Sequence, residues 1–104
     1  MQKVAVIYTT FAQQSDAVAA LRTLMSENLA TCGNIMSPHL AIYPWEGKIA
    51  EETEVAALFK TSFAKTEALV ERLRSIHPYK LPCILKLEAS ALPDYANWLA
   101  NHNA

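Results

Sequence analysis

The side chains best suited to chemistry in this chain are His77, Cys83 and Cys32, because imidazole nitrogen and thiolate sulfur are donors that copper and zinc favour. Sparse carboxylates around them disfavour the oxygen-rich shells of calcium and magnesium. Each also has a plainer reading. Free cysteines are among the most buried residue types, so Cys32 fits a core position and Cys83 either a core or a cleft position. A histidine at the end of a helix, where His77 falls, is favoured by the helix dipole. His39 and His102 read as surface residues in a loop and a tail, with no spaced partner. A second, polar group consists of Lys60, Tyr79 and Lys80 with His77. These residues suit a cleft at a subunit boundary that holds a small anion or metabolite, walled by Tyr43 and Trp45 of a neighbouring hairpin. Enzyme motifs are lacking: there is no nucleophile elbow, no His-Glu-x-x-His and no glycine-rich phosphate loop. No catalytic residue is assigned, and the chain reads as a binding or scaffold protein rather than an enzyme.

The elements that must position these residues follow from periodicity. Residues 3–9 contain an unbroken apolar run, Val4-Ala5-Val6-Ile7-Tyr8, as in a strand at a sheet centre. From Ser15 to Leu29, Ala17, Val18, Leu21, Leu24, Met25 and Leu29 share a helical face, with Ser15 as the expected N-cap. Ile35 to Trp45 reads as a long strand broken at Ser37-Pro38, and its partner runs from Lys48 to about Thr61. The turn between them, Trp45-Glu46-Gly47-Lys48, gains its positive φ from Gly47. Glu51-Glu52-Thr53-Glu54 is too acidic for a core whereas Val55 to Phe59 is apolar, so the outer half of this hairpin must project as an arm. Tyr43 and Trp45 at its tip call for a partner, and their first expected role is packing between chains. A second helix spans about Lys65 to His77 and stops at Pro78; Cys83 to Glu88 is a strand, and Leu92 to Asn101 a last helix. The order is βαββαβ plus a helix. It gives an α+β, ferredoxin-like sandwich with a four-stranded antiparallel sheet, both main helices on one face, a long hairpin between the second and third strands, and an extra C-terminal helix.

With 104 residues the chain makes a single domain, 1–104. Nine basic and ten acidic residues leave a formal charge of −1, which provides no electrostatic footprint for nucleic acid or an anionic membrane. The apolar run after Met1-Gln2-Lys3 is too short for a signal core or a membrane span, and two cysteines without Cys-x-x-Cys spacing fit reduced thiols. A cytoplasmic location is expected.

Several landmarks, in their order and spacing, resemble the CutA family of divalent-cation tolerance proteins over nearly the whole chain. They are Ala30-Thr31-Cys32-Gly33-Asn34-Ile35, Tyr43-Pro44-Trp45-Glu46-Gly47-Lys48, Glu54, Lys60-Thr61, His77-Pro78-Tyr79 with Pro82, and Tyr95 with Trp98-Leu99. The resemblance implies a homotrimer whose long hairpins pack around a threefold axis, a cytoplasmic location, and a link to copper or other divalent metals. Two departures stand out. Lys80 and Cys83 occupy positions where the family commonly has glutamate, which removes carboxylates beside His77. Tyr8 or Thr9 stands where some members carry a cysteine proposed to bind copper. The leading expectation is a trimer in divalent-metal tolerance that binds copper or a similar ion weakly through His77 with Cys83 or Cys32. The alternatives are a signalling trimer that holds an anion or nucleotide between subunits, using Lys60, Tyr79, Lys80 and Trp45, and a structural trimer that anchors other proteins.

Overall fold

The structure, a computed structural model, describes residues 1–101. His102 lies outside the described residues. Among the described residues five strands and three α-helices follow one another as β1 (Gln2–Phe11), α1 (Gln14–Ser26), β2 (Cys32–Ile35), β3 (His39–Trp45), β4 (Lys48–Ser62), α2 (Thr66–Ile76), β5 (Ile84–Ala91) and α3 (Pro93–Asn101). All strand pairs are antiparallel, in the order β2-β4-β1-β5, with β3 added along the outer part of β4. The expected ferredoxin-like layout is present, with one strand more than the sequence suggested. The segment 35–45 divides in two around Met36-Ser37-Pro38, where the proline cannot donate to a ladder.

β4 is the backbone of the molecule. Its inner part, Val55 to Ser62, pairs with β1, while Lys48 to Glu54 pairs only with β3 and forms the arm. Principal extents of 46 × 26 × 23 Å reflect that projection. Period-two alternation then sorts the sheet faces. Ile7 and Phe11 of β1, with Val55, Ala57 and Phe59 of β4, pack against Ala17, Ala20 and Leu24 of α1 and Leu69 and Leu73 of α2. On the other face Val4 packs against Ala96 and Leu99 of α3, whereas Leu85 and Leu87 of β5 stay about half exposed.

β5 runs from Ile84 to Ala91 rather than from Cys83 to Glu88, because Ser90 and Ala91 pair with Lys3 and Gln2. Three other boundaries differ from expectation for local reasons. β1 extends past residue 9 to Phe11, because Thr10 and Phe11 pair with Ala56 and Val55. Gln13, not Ser15, is the N-cap of α1, and its side chain makes no capping bond. α1 stops at Ser26 rather than Leu29, since Asn28 turns left-handed at φ 60° and Leu29 N–H closes back on Leu24 O at 2.8 Å. α2 ends where expected. His77 leaves the helix with extended backbone (φ −66°, ψ 133°), as a residue preceding proline must.

Candidate functional site

The arm meets the segment after α2 in an open cleft of about 900 Å³ that runs along the hairpin. Residues from β3 and β4 (His39, Tyr43, Trp45, Glu52, Glu54), from the following segment (Tyr79, Lys80, Leu81, Cys83) and from β1 (Tyr8, Thr10) line it. The hairpin turn dictates which arm residues face inward. Glu46 and Gly47 both have positive φ, 51° and 79°, so the loop is a two-residue turn with the twist that short hairpins favour. That turn pairs His39 with Glu54, Ala41 with Glu52 and Tyr43 with Ala50. Directly opposed residues share a face, and this face looks into the cleft.

Tyr79 ties the two walls together. Its hydroxyl donates to Glu54 Oε2 at 2.9 Å, and its backbone N–H donates to His77 Nδ1 at 3.1 Å. Burial and then the adjoining Glu54 carboxylate push the Tyr79 phenol far above its usual value, because a phenolate there would be poorly solvated and repelled. Tyr43 is raised in the same sense, by desolvation first and then by Glu52.

His77 is buried at 8% exposure, and its ring stacks on Phe11 with centroids 4.5 Å apart and planes 7° from parallel. Nε2 lies 2.9 Å from the Thr10 carbonyl oxygen and 3.2 Å from Thr9 Oγ1. A carbonyl only accepts, so Nε2 carries the proton and Nδ1 is the acceptor for Tyr79 N–H. Burial lowers the His77 pKa against the opposing pull of the Thr10 carbonyl, Asp16 and Glu54, which keeps the ring neutral. Both ring nitrogens are thus used inside the chain. A metal on Nδ1 would take the lone pair that receives Tyr79 N–H, so His77 positions Tyr79 rather than offering a free donor.

The sulfurs lie apart in function and in space. Cys83 is exposed and lines the cleft, with its thiol pKa raised by burial first and then by Glu54. Cys32 sits on β2 opposite Lys60 and makes a 3.2 Å contact with the Tyr95 hydroxyl. Lys60 accompanies it, with Nζ 5.8 Å from the Tyr95 ring centroid, so neither residue lines the cleft that holds Tyr79 and Lys80. Among the described residues no group of three or more His, Cys, Asp or Glu is gathered for a metal ion. The sequence reading missed His39, taken as a loop residue, and Glu54 as the partner of Tyr79. Counting back from a two-residue turn at Glu46-Gly47 would have put these two opposite one another.

Comparison with known proteins bears directly on this arrangement. The family model described as CutA1 divalent ion tolerance protein matches residues 5–102. The chain belongs to that family. A CutA1 relative named divalent-cation tolerance protein CutA from Pyrococcus horikoshii is 40% identical over 95 residues, covering 90% of this chain and 92% of the relative. The crystal structure of CutA1 from Ehrlichia chaffeensis superposes with a TM-score of 0.90 at 29% identity, covering 95% of this chain and 94% of the other. A CutA described as periplasmic, from Archaeoglobus fulgidus, superposes with a TM-score of 0.86 at 30% identity, over 92% and 94% of the two chains. These CutA1 structures share the α+β architecture described above. Among the described residues no helix is long and apolar enough to cross a membrane.

Proposed function

We propose that this CutA1 family member serves divalent-metal tolerance as a homotrimer that binds copper or a comparable soft ion weakly in the cleft, without catalysis. The observation that carries the reading is the exposed Cys83 thiol, which shares the cleft with His39 and Glu54 in a chain whose family is described by divalent ion tolerance. Cys83 and His39 are the donors that would hold the ion, and sulfur with imidazole suits copper or zinc. Such an ion would bring positive charge to an acidic cleft. Weak binding follows from the chemistry of the chain. The thiol must lose its proton to bind, and its raised pKa makes that costly near neutrality. Among the described residues fewer than three ligands come together, so tighter binding needs further donors, as from a second copy.

Support for the trimer comes from apolar surface on the arm. Leu40 and Ile42, with Ile49 on the adjoining strand, are 59%, 61% and 70% exposed, and Leu85 and Leu87, on the opposite and open face of the sheet, are 51% and 47% exposed. A contiguous apolar surface of this kind marks a site of contact with another chain. The anion reading finds less support, because Lys80 shares the cleft with Glu52 and Glu54 and Lys60 is elsewhere. A cytoplasmic location is part of the proposal and rests on the free thiols; fractionation of cells that express the native chain tests it.

Calorimetric titration of the reduced protein with Cu(I) and Zn(II) tests the metal assignment. Weak binding that drops at least about tenfold in Cys83→Ser is expected. Unchanged binding in that variant would sink the role of Cys83.

A further inference from the structure

The two ring nitrogens of His77 are bonded in opposite senses. Nε2 donates to the Thr10 carbonyl on β1, and Nδ1 accepts the Tyr79 N–H at 3.1 Å. An added proton therefore goes to Nδ1. The imidazolium then points an N–H at the Tyr79 N–H, and two donors cannot share one hydrogen bond. Turning the ring over gives no relief, because it lies flat on Phe11, with planes 7° apart, and would lose its bond to Thr10. Thr10 and Phe11 are fixed by pairing in the sheet, whereas between Ile76 and Ile84 the chain has neither helix nor strand. The Tyr79 backbone is thus the side that yields. Its ring, with centroid 5.0 Å from that of His77, moves with it, and its hydroxyl is what joins this segment to Glu54 on the arm.

We propose that His77 is a proton-operated latch: gain of one proton at Nδ1 releases the Tyr79 N–H, draws the Tyr79 hydroxyl off Glu54 and frees the arm from the segment after α2. The groups around the ring set when this happens. Asp16 of α1, Glu54 of β4 and the Thr10 carbonyl of β1 favour the proton, while burial opposes it and prevails. The latch is therefore closed near neutrality and opens in acid, below the ordinary histidine value of about 6.5. Thr9 Oγ1, the Phe11 ring and the neutral Tyr79 phenol complete the surroundings and carry no charge. Lys80 and Cys83 lie on the released segment, so one wall of the cleft moves with Tyr79. Both ends of the latch belong to one chain, and it works without a bound ion, which separates it from the metal reading.

Nuclear magnetic resonance of the full chain, in a buffer containing chelator, tests this from about pH 8 to about pH 4.5. The Tyr79 amide should shift with the same midpoint as the His77 ring. Its hydrogen exchange, corrected for the intrinsic effect of pH, should speed up at least about tenfold across that midpoint, and exchange of the arm amides of β3 and β4 should rise several-fold with it. In Tyr79→Phe the ring still titrates, but the arm is already unbraced and should show no step there. In His77→Asn, Oδ1 accepts the Tyr79 N–H without titrating, so the amide should stay protected throughout. A Tyr79 amide that ignores the His77 titration, a ring that stays neutral until the protein unfolds, or acid release that persists in His77→Asn overturns the proposal. Should His77→Asn fail to fold, Tyr79→Phe decides: an arm that still loosens with the His77 midpoint in that variant overturns it equally.

Discussion

The Tyr79 hydroxyl and the Glu54 carboxylate, 25 residues apart in sequence, meet at 2.9 Å and join the projecting arm to the segment that follows α2. Tyr79 in turn leans on His77 through its backbone N–H, and His77 rests on Phe11 in the core. The cleft is therefore braced from the main core outwards through a short chain of polar contacts.

Tyr79→Phe removes the hydroxyl and leaves Glu54 to water. Hydrogen bonds to charged groups are worth about 1.5–3 kcal/mol when well shielded, and this one is only partly buried, so a loss of about 1 kcal/mol in urea denaturation is expected. The same variant should change behaviour in alkali. A phenol whose pKa is raised by folding contributes stability that is complete below its unfolded value of about 10 and fades as pH rises from there towards the folded value. The wild-type chain should lose stability above about pH 10 more steeply than Tyr79→Phe. Parallel curves would remove Tyr79 as the cause.

His77 predicts the opposite limb of the pH profile. Its pKa is lowered on folding, so below about pH 6.5 the unfolded chain takes up a proton that the native ring refuses, and stability falls as pH drops through that window. Nuclear magnetic resonance should find the His77 ring neutral at pH 6.5, protonated on Nε2 and not on Nδ1. A ring found charged there, or the other tautomer, would contradict the bonds to Thr10 and Tyr79.

Much of this arrangement was legible in the sequence. Apolar periodicity placed the helices and strands, and the contrast between Glu51–Glu54 and Val55–Phe59 marked where the arm leaves the core. Gly47 marked the turn, but the positive φ of Glu46 was not legible, because a glutamate seldom adopts it and only the two-residue loop demands it. The metal candidates fared differently. Residue type alone suggested His77 as a ligand, yet its tautomer is set by a carbonyl on Thr10 and an N–H on Tyr79, which are backbone groups that no side-chain pattern reveals. The separation of Lys60 from Lys80 was likewise hidden, since it depends on which part of β4 each neighbour reaches.

The two glycines fail for different reasons, and two variants should separate them. A Cβ on Gly33 would lie 3.0 Å from both Leu21 Cδ2 and Phe59 Cδ1, where α1 presses on the sheet, so Gly33→Ala should cost about 1–3 kcal/mol through overpacking. At Gly47 a Cβ meets nothing within 4 Å, and only the φ of 79° is at issue, so Gly47→Ala should cost about 1–2 kcal/mol. Leu21→Ala should restore part of the loss in Gly33→Ala and none in Gly47→Ala. Equal rescue of both, read by thermal unfolding, would break the distinction.

The arm makes the trimer testable by charge. Ile42 and Ile49 share one face of the arm, and at 61% and 70% exposure each has ample apolar surface for a neighbour to cover. In a covered interface an unpaired ammonium group is strongly disfavoured, whereas on a free surface it changes stability by little. Light scattering of the wild-type protein should give about three times the 11.5 kDa chain mass. Ile42→Lys combined with Ile49→Lys should shift that mass towards one chain and lower the midpoint of unfolding, which should lose the dependence on protein concentration expected of the wild-type trimer. Tyr79 to Glu54 contacts lie within one chain and should survive the dissociation. If the double lysine variant keeps the wild-type mass and midpoint, the exposed stripe is ordinary surface, and assembly must use the open sheet face around Leu85 and Leu87 instead.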